Sequence, residues 1–237
     1  MIITISSWKG GTGKTTLAVL LATILAFRKK RVLIVDLDSN CAISQCFGQV
    51  MKDFTSMEFL SGTGENFKGI YPAMEGIDII PGNLNNMLIN NMMDRQLRVN
   101  LYRGGYASSY DYIIIDPPGY WGAHTRNAVF ASDVLVIPGA CSKIDFEASR
   151  LYFNTLRQYG VDIETFVCIN AFNSESNLPG ICDEYKAAFG EFLLPEPIPY
   201  IKSLKKLTAD VTYNLHPSVK KRLEGFVDAI TKEAPNA

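Results

Sequence analysis

The chain has 237 residues, 47% of them apolar and 20% charged, with a formal net charge of −1. That balance excludes a disordered or collagen-like chain, and near-neutrality excludes a molecule drawn as a whole to nucleic acid or anionic membrane. The length suits one α/β core, so 1–237 is read as a single domain.

The run "MIITISSW" predicts a buried strand at Ile2–Ser6, too short for a leader or a membrane span. It leads directly into "WKGGTGKTT", residues 8–16, and a helix over Lys14–Arg28. "FRKKRV" then lacks the glycine that commonly ends such a helix, so Lys29 or Lys30 is expected to take the left-handed conformation. Further strands are predicted at Arg31–Asp36, Ile77–Pro81, Tyr112–Asp116, Val134–Pro138 and Thr165–Asn170. Helices are predicted at Leu84–Tyr102, Ser142–Tyr159, Leu178–Phe189 and Pro217–Lys232, with "LPEPIP" as a rigid connection. The runs "VLIV", "YIII" and "VLVI" are apolar on both faces, which belongs to a parallel sheet covered on both sides. The expected fold class is α/β, a doubly wound, mostly parallel sheet flanked by helices on both faces.

Five cysteines without C-x-x-C spacing, and only His124 and His216, argue against a zinc site. An odd cysteine count and the absence of a leader point to a reducing cytoplasm.

The stretch 8–16 misses a strict phosphate-loop pattern only in having Trp8 where glycine is required. Gly10, Gly11 and Gly13 let backbone approach an anion, and the helix start offers unpaired N–H groups and a positive dipole end. Lys14 has the reach for β- and γ-phosphates, and the Thr15 hydroxyl suits Mg²⁺. The nucleotide contacts expected from the loop are thus Gly10, Gly11, Thr12, Gly13, Lys14, Thr15 and Thr16. From the residues alone, Lys9 is either a general electrostatic contributor or a solvated loop lysine. "VLIVDLDSN" ends in Asp36 and Asp38 and "YDYIIIDPPG" in Asp116, carboxylates at the strand ends where such sheets gather ligand groups. Asp116 suits a Mg²⁺ role through the ion's water shell, though each aspartate is equally the type that caps a helix or opens a turn.

"KGGTGKTT", "RVLIVDLDSN" and "YDYIIIDPPG" together resemble the signature of the deviant Walker-A ATPases of the ParA/MinD type, in an order and spacing that covers essentially the whole chain. The resemblance implies a P-loop NTPase fold and Mg²⁺-dependent hydrolysis of ATP, with Lys9, Lys14 and Asp38 catalytic and Thr15, Asp36 and Asp116 at the metal. It implies that Lys9 reaches across an ATP-bound homodimer to the partner's phosphates, that Asp38 orients the attacking water, and that Asp36 lies near Mg²⁺. It further implies that Asn170, ending "TFVCIN", contacts adenine, and that Pro199 borders the base. The chain departs from the family's usual "DLDPQ" at Ser39 and Asn40, which bears on hydrolysis more than on binding.

Within that family, MinD-like members insert a C-terminal amphipathic helix into membrane and ParA-like members bind DNA through surface lysines and arginines. Val219, Leu223, Phe226, Val227 and Ile230 recur at helical spacing, a stripe expected to pack on the core. The polar tail "TKEAPNA" is a poor anchor, so no membrane partner is expected. Six basic residues (Lys202, Lys205, Lys206, Lys220, Lys221 and Arg222) stand against Asp210 alone between positions 202 and 222. That cluster reads as a DNA phosphate surface or as a solvated face.

The preferred reading is a cytoplasmic, nucleoid-associated ParA-like switch: an ATP-state homodimer on nonspecific DNA that positions a plasmid, chromosome region or protein body, with a ParB-like or adaptor protein stimulating hydrolysis. A MinD-like membrane-associated ATPase and an ATP-dependent metabolic enzyme, such as an amidase-ligase, are the alternatives. The scarcity of histidine leaves the latter few acid-base groups. A redox iron-protein relative ranks last, because Cys141 and Cys168 sit in no cluster-ligand motif.

Overall fold

The computed structural model describes residues 1–88, 92–173, 179–202, 208 and 215–232. The β-branched runs form β1 (Ile2–Ile5), β2 (Val32–Asp36), β4 (Ile77–Ile80), β5 (Tyr112–Asp116), β6 (Val134–Gly139) and β7 (Glu164–Ile169), joined by a short β3 (Tyr71–Met74). They make one seven-stranded sheet in the order β3-β4-β2-β5-β1-β6-β7. Every neighbouring pair is parallel except β3 with β4.

Alternate residues of each parallel strand feed opposite layers. Ile3, Ile5, Val32, Ile34, Ile114, Val134 and Val136 pack with α1 (Lys14–Phe27), α2 (Ala42–Cys46) and α9 (Pro217–Thr231). Ile2, Leu33, Val35, Ile113 and Ile115 face α3 (Ser56–Ser61), α4 (Gln96–Arg103) and α6 (Ala123–Ala131). Farther along that side, Leu135, Ile137, Val167 and Ile169 meet α7 (Lys143–Gln158) and α8 (Ile181–Phe189). Strands apolar on both faces are therefore buried on both faces, and the doubly wound reading holds. The stripe on α9 behaves as expected, with Leu223, Phe226, Val227 and Ile230 in the core.

The first helix ends without glycine by placing Lys29 in the left-handed region at φ 62°. Other expectations need correction. The single helix expected over Leu84–Tyr102 is instead a 3₁₀ turn at Leu84–Leu88 and, after 89–91, the separate α4. Asparagine side chains compete for backbone groups there: Asn83 Oδ1 accepts from Asn85 N, and Asn86 Nδ2 donates to the Leu37 carbonyl and Ser56 Oγ. Helix α6 was unforeseen because its buried side carries His124, Thr125 and Asn127, which breaks the apolar stripe. Helices α2, α3 and a short α5 (Tyr106–Ser109) were also unforeseen, although Thr55 and Glu58 form a capping box at α3 that the sequence displays. Edge strand β3 escaped notice because it is short and contains Pro72.

Candidate functional site

Strand β5 lies between β1 and β2, so the carboxyl ends of all three converge, with Asp36 and Asp116 directly opposite in register. The loop after β1 closes on itself through Ser7 Oγ and Thr12 Oγ1, 2.7 Å apart. Helix α1 then starts at Lys14, with Gly13 as a left-handed cap at φ 91° and no side chain on its first amides. Those amides are directed to an anion by default. A Cβ on Gly13 would lie 2.1 Å from Asn170 Nδ2, which donates to the Thr12 carbonyl at 2.8 Å. Asn170, immediately after β7, therefore seals the loop from the side. Pro199 sits in an adjacent segment bridged to Phe172.

The Lys14 side chain turns inward. It is 8% exposed, and its Nζ lies 3.5 Å from the Lys9 carbonyl and 3.0 Å from where a Gly119 Cβ would stand. Burial lowers its pKa, against the pull of Asp116 and Asp38. Thr15 donates its hydroxyl to Asp116 Oδ2 at 2.7 Å, while Asp116 Oδ1 is buried with no partner. Burial, followed by the neighbouring Asp36, raises the Asp116 pKa to about 8. Burial likewise raises Asp36 to about 7.

The two buried aspartates, paired in the sequence reading, are differently engaged. Asp36 Oδ1 accepts from Asp38 N at 3.0 Å, and Oδ2 accepts from Ser44 N at 3.2 Å and Ser44 Oγ at 2.6 Å. It brackets β2 to α2, whereas Asp116 keeps an oxygen open beside the Thr15 hydroxyl. That arrangement fits a divalent cation on Thr15 and Asp116, with Asp36 behind them. Asp38 Oδ1 accepts from both Asn40 N (2.9 Å) and Asn40 Nδ2 (3.0 Å), so the unusual Ser39-Asn40 pair orients this carboxylate.

Lys9 is ion-paired with Asp145 of its own chain, near the start of α7, and Ser142 Oγ binds the same carboxylate. Two indoles of these loops pack against Tyr152: its ring lies 5.5 Å from Trp8 and 6.0 Å from Trp121, and its hydroxyl is 2.8 Å from Ser6 Oγ. Among the described residues, five buried side-chain polar atoms have no hydrogen-bond partner, and four belong to Trp8, Asp116, Trp121 and His124 around these loops. Such a concentration marks a surface shaped for a ligand.

Sequence reasoning missed Ser44 and Asp145, which act on the named residues from other elements and carry no local signal of their own, and it did not give Asn40 its hold on Asp38 or Gly119 its place over Lys14. Gly10 and Gly11 are exposed at the loop front, and Thr16 follows on α1. Of the basic cluster, Lys202, Lys220, Lys221 and Arg222 are exposed. Among the described residues none of these four forms an ion pair. Lys205 and Lys206 lie outside the described residues.

Residues 1–163 match the family described as AAA domain. The cell division protein PomZ of Myxococcus xanthus is 28% identical over 202 residues, covering 80% of this chain and 63% of that protein. The sporulation initiation inhibitor protein Soj of Bacillus subtilis is 31% identical over 172 residues, covering 66% of this chain and 64% of Soj. The chain thus spans just under two thirds of the length of these relatives. In fold, it superposes on a putative plasmid partition protein of Borrelia burgdorferi bound to AMPPNP with a TM-score of 0.84, at 24% identity, over 98% of this chain and 99% of that one. A McdA–ATP complex from Cyanothece gives 0.86 at 20% identity, over 100% of this chain and 98% of that one. The match over 1–163, on a phosphate loop with its strand-end aspartates in place, establishes that the chain belongs to this AAA domain family.

Proposed function

We infer that this chain is a nucleotide-driven switch: it binds Mg²⁺-ATP, dimerises, docks on DNA without sequence preference, positions a cargo, and is reset by hydrolysis. The observation that carries the reading is the trio of buried Lys14, buried Asp116 and half-buried Thr15, with one Asp116 oxygen left unpartnered at the convergence of three strand ends. Lys14 neutralises charge on the β- and γ-phosphates, and the first amides of α1 hold the same oxygens. Thr15 and Asp116 would hold a Mg²⁺ ion, which would supply neutralisation of phosphate charge. Asn170 and Pro199 form the base side. Asp38, held by Asn40, orients the attacking water. A trans role for Lys9 requires its release from Asp145, so dimerisation competes with an ion pair inside each monomer.

DNA docking is assigned to the exposed residues Lys202, Lys220, Lys221 and Arg222, with Lys205 and Lys206 of the same cluster. Pairing two copies doubles the phosphate contacts on one surface, so nucleotide state sets DNA affinity without a base-reading element. A ParB-like or adaptor partner would then act by accelerating hydrolysis. The relatives' names fit this reading, one being a cell division protein and one fold neighbour a putative plasmid partition protein. Among the described residues no helix is long and apolar enough to cross a membrane.

The test is calorimetric titration of Mg²⁺-ATP alongside phosphate release. Lys14→Ala should weaken ATP binding by about 10- to 100-fold or more, the scale of a lost charged hydrogen bond. Asp38→Ala should bind normally and hydrolyse about 100-fold more slowly. Unchanged affinity in Lys14→Ala would overturn the site.

A further inference from the structure

The turn that carries Asp38 is held from both sides. On the inner side, Asp38 N donates to Asp36 Oδ1 at 3.0 Å, and the preceding Leu37 N donates to the Asp116 carbonyl at 3.0 Å. The backbone at Asp38 is thereby locked to both buried aspartates of the site. On the outer side, Asn40 closes on Asp38 Oδ1 with two donors, its backbone N–H at 2.9 Å and its Nδ2 at 3.0 Å. Among the described residues no donor reaches Oδ2, so one oxygen is filled twice and the other is left for a further partner.

The backbone half of this arrangement is an ordinary turn closed by an aspartate side chain. The side-chain half is not, because Nδ2 meets the same oxygen only while the Asn40 peptide keeps one orientation. That orientation is set from α2, where Gln45 Nε2 donates to the Asn40 carbonyl at 2.9 Å. Both acceptors, a carboxylate and a carbonyl, require an amide nitrogen to face them, so the sense of each amide follows from its partner. Between the two amides the chain turns at Cys41, in the left-handed conformation at φ 50°, whose N–H bonds the Asp38 carbonyl at 3.0 Å. The helix that presents Gln45 is itself fixed to the site, since the adjacent Ser44 is bonded to Asp36. Asn40 and Gln45 are exposed, and an exposed side-chain hydrogen bond returns little stability for the rotamer freedom it removes. The relay from α2 is therefore explained by what it does to the carboxylate at its end.

We propose that Gln45 is a positioning residue for ATP hydrolysis: through the Asn40 carbonyl it keeps both Asn40 donors on Asp38 Oδ1, so that Oδ2 alone is presented to the attacking water. In the step served, the water oxygen bonds to the γ-phosphorus while the bond to the bridging oxygen breaks with its electron pair on ADP. The water proton leaves by way of Asp38 to solvent. Fixing which oxygen receives the water removes a rotation that would otherwise have to be frozen during attack. The relay acts on turnover rather than on nucleotide affinity, since neither Asn40 nor Gln45 belongs to the phosphate loop.

The proposal rests on the role given to Asp38, and the experiment separates the two. Steady-state and single-turnover hydrolysis of Mg²⁺-ATP is measured on the full chain for wild type, Gln45→Ala, Gln45→Glu, Gln45→Lys, Asp38→Ala and the Gln45→Ala/Asp38→Ala double variant, with melting temperatures. Gln45→Ala should lower kcat by about three- to tenfold, the rate equivalent of one net hydrogen bond, with KM within about twofold. Gln45→Glu, which keeps the shape and loses the donor, should fall at least as far. Gln45→Lys, which keeps a donor of sufficient reach, should retain about half the wild-type rate or more. Melting temperatures should stay within about 2 °C of wild type, because the bond is exposed. On top of Asp38→Ala, Gln45→Ala should change the residual rate by less than about 1.5-fold, since its effect passes through the missing carboxylate. A Gln45→Glu chain as fast as wild type, or an equal fold-loss with and without Asp38, overturns the proposal. Wild-type turnover in Asp38→Ala would instead remove the water role from Asp38, the reading on which the proposal stands.

Discussion

Replacing Gly13 by alanine tests the geometry of the phosphate loop with a single methyl group. Gly13 sits at φ 91°, where a residue with a Cβ is disfavoured by roughly 1–2 kcal/mol. The new Cβ also falls 2.1 Å from Asn170 Nδ2, which must swing away and lose its bond to the Thr12 carbonyl. That loss adds about 0.5–1.5 kcal/mol, for a total of about 1.5–3.5 kcal/mol. At roughly 2–4 °C per kcal/mol for a chain of this size, the melting temperature should drop by about 3–14 °C. Asn170→Ala removes the hydrogen bond but leaves the backbone alone. The double variant should therefore cost less than the sum of the singles by about the hydrogen-bond share, 0.5–1.5 kcal/mol. Thermal unfolding of the four proteins, followed by circular dichroism, measures both quantities. A Gly13→Ala melting point within about 1 °C of wild type, or strictly additive effects, would show that the loop is not held as described.

Three further outcomes are expected. Lys9→Ala should bind ATP as a monomer and fail to dimerise in analytical sedimentation, and a dimer as strong as wild type would remove its trans role. Because Asp36 and Asp116 keep their protons up to about 7 and about 8, against an ordinary 3.8, the folded ligand-free chain binds more protons than the unfolded chain across that interval. Their contribution to stability is complete below pH 3.8 and is lost as pH rises through about 7 and about 8, so melting temperature should fall over that window and fall less in Asp116→Asn. Charge reversal of Lys220 and Lys221 should weaken binding to every duplex alike and flatten the plot of log K against log salt by about 0.9 per lost contact; filter binding at several salt concentrations would show otherwise if affinity is untouched.

Features that depend on short-range chemistry were legible in the sequence. The apolar runs around Ile34, Ile114 and Val136 showed which strands are sandwiched, and the missing glycine after Arg28 foretold the strained Lys29. The loop and the strand-end aspartates were legible because each lies within a few residues of an apolar run. Their division of labour was not. Only the fold reveals that Ser44 occupies Asp36 while Asp116 stays open, since eight residues and a change of element separate the first pair. His124 was read only as one of two histidines in a metal tally, because no local pattern announces its burial. Helix α6 was hidden because buried His124, Thr125 and Asn127 interrupt the apolar stripe by which a helix is recognised in a string.

The placement of the indoles has an optical consequence. The chain contains two tryptophans, Trp8 on the loop after β1 and Trp121 on the loop after Asp116, and both rings lie against Tyr152. Emission selectively excited from tryptophan, rather than from the eleven tyrosines, therefore originates at the loop after β1 and the loop after β5. Any rearrangement that parts either ring from Tyr152 alters its quenching and polarity, so the wild-type chain carries its own probe for the timing of loop closure.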